Sequence, residues 1–187
     1  PKFRAFLMDI TPRIASLTTQ ENVQFEESIL AVAKNKDNDP NLRRYALLQM
    51  RGKSNLQIQI PKKGQTSKQV EKLSSELLTI FNDSNSPSKV KGASITAMRR
   101  KGDPTFEKTV INILSNPSQY SDIVIRHAVV SAAKSKSVKE LLPQIENIAR
   151  STDSPEVYAS SMYALGIIGN TDAIVALVSV FGRHGNE

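Results

Sequence analysis

Arg51, Arg99 and Lys134 each stand nine residues beyond an aliphatic residue, Leu42, Val90 and Ile125, that opens a similar run. At about 100° per residue, the ninth position points roughly away from the side that the aliphatic anchor buries. Stacked runs align these three cations, and like charges held together are relieved by an anionic partner. The chemistry open to this set is recognition of anions, with Arg44, Arg100 and Lys101 as further donors beside it; plain solvation of the same charges is the alternative. One residue past each anchor, Arg43, Lys91 and Arg126 form a second set nearer the packing interface. That position suits hydrogen bonds between runs, or capping of neighbouring carbonyls.

Other chemistries find little material. His127 and His184 are the only histidines and lie far apart, so no two-histidine metal motif and no spaced Ser-His-Asp set is present. His127, beside Arg126, reads as structural or solvated. Without cysteine there is no disulfide framework, thiolate nucleophile or cysteine zinc site. The glycines form no GxGxxG or Walker pattern, while Gly102 and Gly169 read as helix terminators. No cofactor, metal or catalytic constellation is expected, and the chain reads as a non-enzyme. The absence of tryptophan leaves little with which to stack bases or hold a flipped one.

The positioning elements follow from periodicity. Leu42, Arg43, Ala46, Gln49 and Met50 are echoed by Val90, Lys91, Ser94, Ala97 and Met98, by Ile125, Arg126, Val129, Ala132 and Ala133, and by Val157, Tyr158, Ser161, Ala164 and Leu165. Each echo is an inner helix, and each follows an outer one. Phe25, Ile29, Val32 and Ala33 mark the first outer helix, with capping-box spacing at Thr18 and Glu21. Asp39-Pro40 caps and opens the inner helix that runs to about Met50. Val70, Leu73, Leu77, Leu78 and Phe81 form the second outer helix, and Val90 to Lys101 its inner partner. Phe106, Val110, Ile113 and Leu114 precede an Asn116-Pro117 turn, after which Asp122 is placed to cap a helix from Ile123 to about Lys134. Val138, Leu141, Leu142, Ile145, Ile148 and Ala149 make the fourth outer helix, and Ser154-Pro155 starts an inner helix ending at Ile168. The small slot at Ala46, Ser94 and Ser161, with Val129 as the exception, lets neighbouring helices approach closely. Carboxylates such as Glu26, Glu27, Glu76, Glu107, Glu140 and Glu146 lie on outer helices and read mostly as solvated face residues.

Three stretches stand apart. Before the first pair, Phe3, Phe6, Leu7, Ile10, Ile14 and Leu17 share a helical face that Pro12 interrupts. The anchors are spaced 48, 35 and 32 residues apart, so the first interval holds a surplus at Ser54 to Thr66. There Leu56, Ile58 and Ile60 alternate with glutamines before Pro61-Lys62-Lys63-Gly64, as in an extended segment. Its readings are a loop folded onto nearby helices or a recognition edge offered to a partner by Leu56, Ile58, Ile60, Lys62 and Lys63. The last stretch, Asp172 to Phe181, is apolar nearly all round and calls for burial against a further repeat or another chain.

Asp39-Pro40-Asn41-Leu42-Arg43-Arg44-Tyr45-Ala46, Asp122 to Ala133, and Ser154-Pro155-Glu156-Val157 through Ala164-Leu165-Gly166 together resemble the HEAT-like repeats, in the short variety named after phycobilisome lyases. The resemblance spans roughly residues 22 to 181. In that family an aliphatic-Arg pair opens the inner helix, as at Leu42-Arg43 and Ile125-Arg126; Lys91 and Tyr158 depart from it. It implies one all-α domain over 1–187, a right-handed α-solenoid with repeats near 22–52, 67–101, 104–134 and 137–169, plus terminal helices. Its inner helices would line a concave face that binds macromolecules.

A net charge of +7 favours acidic partners. The leading expectation is therefore a non-catalytic protein-interaction scaffold gripping an acidic or amphipathic partner segment. Sequence-independent nucleic-acid binding through the same cations is the alternative. A bilin-lyase-like enzyme subunit is a third reading, implied by the repeat's name alone. Composition is that of an ordinary soluble chain, 39% apolar and 23% charged, and no apolar run approaches the ~18 residues of a membrane span. The chain opens at Pro1 with neither an initiator Met nor a charged-plus-apolar leader, which fits a signal that was trimmed or one that never existed.

Overall fold

A computed structural model describes the backbone of residues 19–50 and 65–184, and the side chains of 24–50 and 72–181. Pro12, Thr18, Arg51, Leu56, Ile58, Ile60, Lys62 and Lys63 lie outside the described residues. Regular structure within them is entirely helical: nine α-helices and a 3-10 turn at Pro117–Gln119. The helices are α1 (Thr19–Lys34), α2 (Pro40–Leu48), α3 (Gln65–Asn82), α4 (Ser88–Lys101), α5 (Phe106–Ser115), α6 (Asp122–Ala133), α7 (Val138–Ser151), α8 (Pro155–Ile168) and α9 (Thr171–His184).

Local chemistry sets most of these boundaries. Asp39 accepts from the N–H groups of Asn41 at 2.8 Å and Leu42 at 3.3 Å, and Pro40 occupies the first turn, where its missing donor costs nothing. Ser154 caps α8 in the same way, its Oγ accepting from Val157 N at 3.3 Å. Gly102 (φ 62°) and Gly169 (φ 61°) close α4 and α8 in the left-handed conformation, which a side chain would strain. Several boundaries depart from expectation: α2 ends at Leu48 rather than about Met50, α4 begins at Ser88 rather than Val90, and α9 runs from Thr171 to His184 rather than over 172–181. α6 begins at Asp122 itself, with Ser121 at the cap position making no side-chain cap bond. The Asp122 carboxylate instead accepts a hydrogen bond from Ser154 Oγ at 2.5 Å, joining the starts of α6 and α8. α3 begins at Gln65, so Gln65 and Thr66 belong to a helix rather than to the surplus segment.

Packing follows the alternation of the sequence. α2 lies on α4, α4 on α6 and α6 on α8, while α1, α3, α5 and α7 each cover the helix that follows. α9 packs on α8 and α7. Like ends meet along the inner series: Lys89 donates to Asn41 at the N-terminal ends of α4 and α2, and Arg100 reaches the carbonyls of Leu48 and Met50 at their C-terminal ends. Arg99 reaches the Lys134 carbonyl at the C-terminal ends of α4 and α6, and Ser154 meets Asp122 at the N-terminal ends of α8 and α6. Ala46, Ser94, Val129 and Ser161, one on each of these four helices, are all buried, and Leu47, Ile95, Met98, Ile113, Leu141 and Leu165 belong to one hydrophobic core. Close approach along small side chains is what allows this stacking. No helix among the described residues is long and apolar enough to cross a membrane.

Candidate functional site

The two sets of basic residues read from spacing have different surroundings. Arg43 is 4% exposed; its Nε donates to Ala33 O at 2.8 Å, and an Nη reaches Ser86 Oγ at 3.3 Å. It thereby caps the last turn of α1 and ties it to the turn before α4. Arg126 is exposed, and its Nε donates to Ser160 Oγ of α8 at 3.1 Å. Bonds between successive helix pairs are thus what the position after the anchor supplies at both arginines.

Of the outward set, Arg99 and Lys134 meet. An Arg99 Nη lies 3.5 Å from the carbonyl oxygen of Lys134, and Lys134 Nζ sits 5.7 Å from the centre of the Tyr163 ring. The Arg99 Nε is buried without a hydrogen-bond partner, and desolvation, followed by the charge of Arg100, lowers its pKa. Arg44 lies over the Tyr45 ring at 5.4 Å. Arg100 is committed to the α2 carbonyls. Lys101 is turned inward, 8% exposed, with its ammonium against the Glu26 carboxylate of α1. Burial draws its pKa down to about 8. Glu26, read from the sequence as a solvated face residue, is therefore a structural counter-charge.

Ion pairing divides the molecule. Lys34 meets Glu76, Lys36 meets Asp83 at 2.8 Å, Lys72 meets Glu27 at 3.6 Å and Arg150 meets Glu146 at 2.7 Å, all on outer helices or the turns beside them. On the inner helices only Lys101 has a carboxylate partner among the described residues. Arg43, Arg44, Lys89, Lys91, Arg99, Arg100, Arg126 and Lys134 have none. The acid on the outward side of α8, Glu156, is seven residues from Tyr163, about 10 Å at the rise of a helix.

Between Arg44 and Arg126 stands His127. Its Nδ1 shares a hydrogen bond with Thr96 Oγ1 at 3.0 Å, and its ring covers Gly92. Burial, then the charges of Arg44 and Arg126, push its pKa down to about 4, so it is neutral at physiological pH. Sequence reasoning passed over Gly92, Thr96, Tyr163 and Ile167. The last two carried a signal in their i, i+4 spacing on a helix whose buried face was already assigned.

No group of three or more His, Cys, Asp or Glu that could hold a metal occurs among the described residues. On α9, Ala173, Ala176 and Val180 are buried, whereas Ile174, Val175, Val178 and Phe181 are exposed, Val175 by 63%. Comparison with protein-family models, curated proteins and solved structures returned no match.

Proposed function

We propose that the chain is a right-handed α-solenoid of HEAT-like repeats acting as a non-catalytic interaction scaffold, whose inner-helix face binds an acidic segment of a partner protein. What supports this reading is the division of ion pairs. Lys34, Lys36, Lys72 and Arg150 on the outer helices and their turns are matched by carboxylates, though Lys108, Lys136 and Lys139 are not, while of the inner-helix cations only Lys101 is so matched. Arg43, Arg126 and Lys134 meet a carbonyl, a hydroxyl and an aromatic ring, which leave their net charge in place. Apart from Lys101, no inner-helix cation has its charge cancelled by a carboxylate of the described residues, and an anion arriving at this face meets the field of the rest. Arg44, Arg99 and Lys134 are the contact residues in this proposal; Arg100 and Lys101 set its edge. The exposed stripe of α9 is read as the surface that takes a further repeat or another chain.

The test is fluorescence anisotropy of a labelled acidic peptide and of a labelled DNA duplex of equal charge, titrated against the protein over a range of salt. Salt-sensitive peptide binding that is lost on changing Arg44, Arg99 and Lys134 together to Glu supports the scaffold. Tighter binding to the duplex, lost in the same variant, replaces it with nucleic-acid recognition. No binding of either probe at low salt removes the reading.

A further inference from the structure

The inner face changes character at α8. Where the first three inner helices carry Arg43, Lys91 and Arg126, α8 has Tyr158, and where they carry Arg99 and Lys134, it has Gly166. The exposed side of α8 instead presents Tyr163, 58% exposed, and Ile167, 37% exposed, one helical turn apart. Tyr163 is joined to the basic row by the Lys134 ammonium over its ring, and Lys134 in turn by its carbonyl to Arg99. A row of cations thus runs directly into an apolar ledge.

We infer that Arg99, Lys134, Tyr163 and Ile167 form one bipartite recognition site, for a peptide segment that carries carboxylates and, a few residues on, an aromatic or branched apolar side chain. This rests on the proposed scaffold function and deepens it, by naming the kind of acidic partner. Two observations select this occupant. No carboxylate of the described residues pairs with Arg99 or Lys134, so charge complementarity calls for an acid there. The adjoining Ile167 and the ring face of Tyr163 gain from apolar contact, which a uniformly acidic segment does not provide. The Lys134 side chain, with its apolar stem and charged head, bridges the two halves.

The experiment compares two labelled peptides of identical charge, one with Phe and Leu four residues apart beside a run of Glu, the other with both replaced by Ser. The expected result is that the amphipathic peptide binds about tenfold more tightly or better. Tyr163→Ala with Ile167→Ser should abolish that difference, so that this variant binds the two peptides equally. Lys134→Glu should weaken both peptides. Equal binding of the two peptides to the wild-type protein overturns the bipartite site but leaves the acidic-segment reading standing. Absence of binding to either overturns both. A single-stranded oligonucleotide that outbinds the amphipathic peptide and depends on Tyr163 would assign the ledge to base stacking and overturn the inference. Circular dichroism of the Tyr163/Ile167 variant checks that the exposed substitutions leave the fold intact.

Discussion

His127 is seated on Gly92 so closely that a Cβ at position 92 would come within 2.4 Å of its Cδ2 and 2.9 Å of its Cγ. The glycine is therefore a packing requirement of the α4–α6 contact, with no φ demand behind it. Gly92→Ala is expected to drive the imidazole off its place and break the bond to Thr96. The overpacking cost, typically about 1–3 kcal/mol, exceeds the roughly 1 kcal/mol that alanine gains over glycine in a helix. Urea unfolding should show net destabilisation by Gly92→Ala, and partial recovery when His127→Ala accompanies it. Equal losses with and without His127 would place the clash elsewhere.

The same histidine makes stability fall with acid. Its pKa is about 4 in the folded chain, against about 6.5 when unfolded, so between these values the unfolded state binds the proton and the native state does not. Stability present above pH 6.5 is lost as pH falls toward 4, by at most about 2 kcal/mol on reaching pH 5, before most carboxylates titrate. His127→Gln, which keeps a polar group near Thr96 but cannot titrate, should flatten melting temperature across pH 6.5 to 5. An unchanged slope in that variant would mean another group carries the effect.

Arg43 and Arg126 look alike in sequence and should behave differently on mutation. Arg43 is buried and holds the end of α1 by its bond to Ala33 O, so Arg43→Met leaves that carbonyl without a donor and costs about 2–3 kcal/mol. Arg126 is exposed, and Arg126→Met should lie within about 0.5 kcal/mol of wild type. Chemical denaturation of the two variants side by side separates these expectations, and equal losses would contradict them.

The all-helical character, the caps at Asp39 and Ser154 and the terminators Gly102 and Gly169 were legible because each is a local event, governed by residues within a turn of one another. The buried small slot was legible too, since period and side-chain size both mark it. What could not be read was the fate of individual cations. Arg99, Arg100 and Lys101 are consecutive, yet they reach the carbonyl just past α6, the end of α2 and a carboxylate of α1. Those destinations lie on helices distant in sequence and are fixed only once the stacking register is set. Gly92 was invisible for the same reason, because its necessity belongs to His127 rather than to its own helix. The boundary of α6 was misread because Asp122 serves Ser154, a partner thirty-two residues away, in place of its own helix end.

Lys101 and Glu26 supply the sharpest energetic test. The ammonium is nearly buried and its carboxylate partner mostly so, with side-chain exposures of 9% and 22%. Desolvation works against the charge on Lys101, and Glu26 is what retains it. Glu26→Gln strands a buried cation and is expected to cost about 3 kcal/mol at neutral pH. Part of that loss should return as pH rises and the amine sheds its proton, because a stranded Lys101 has its pKa depressed still further below its unfolded value. Lys101→Met combined with Glu26→Leu removes both charges and keeps the volume, so it should restore stability to near wild type or above it. A double variant no more stable than Glu26→Gln alone would show that the pair holds α1 against α4 through its own attraction rather than by mutual neutralisation.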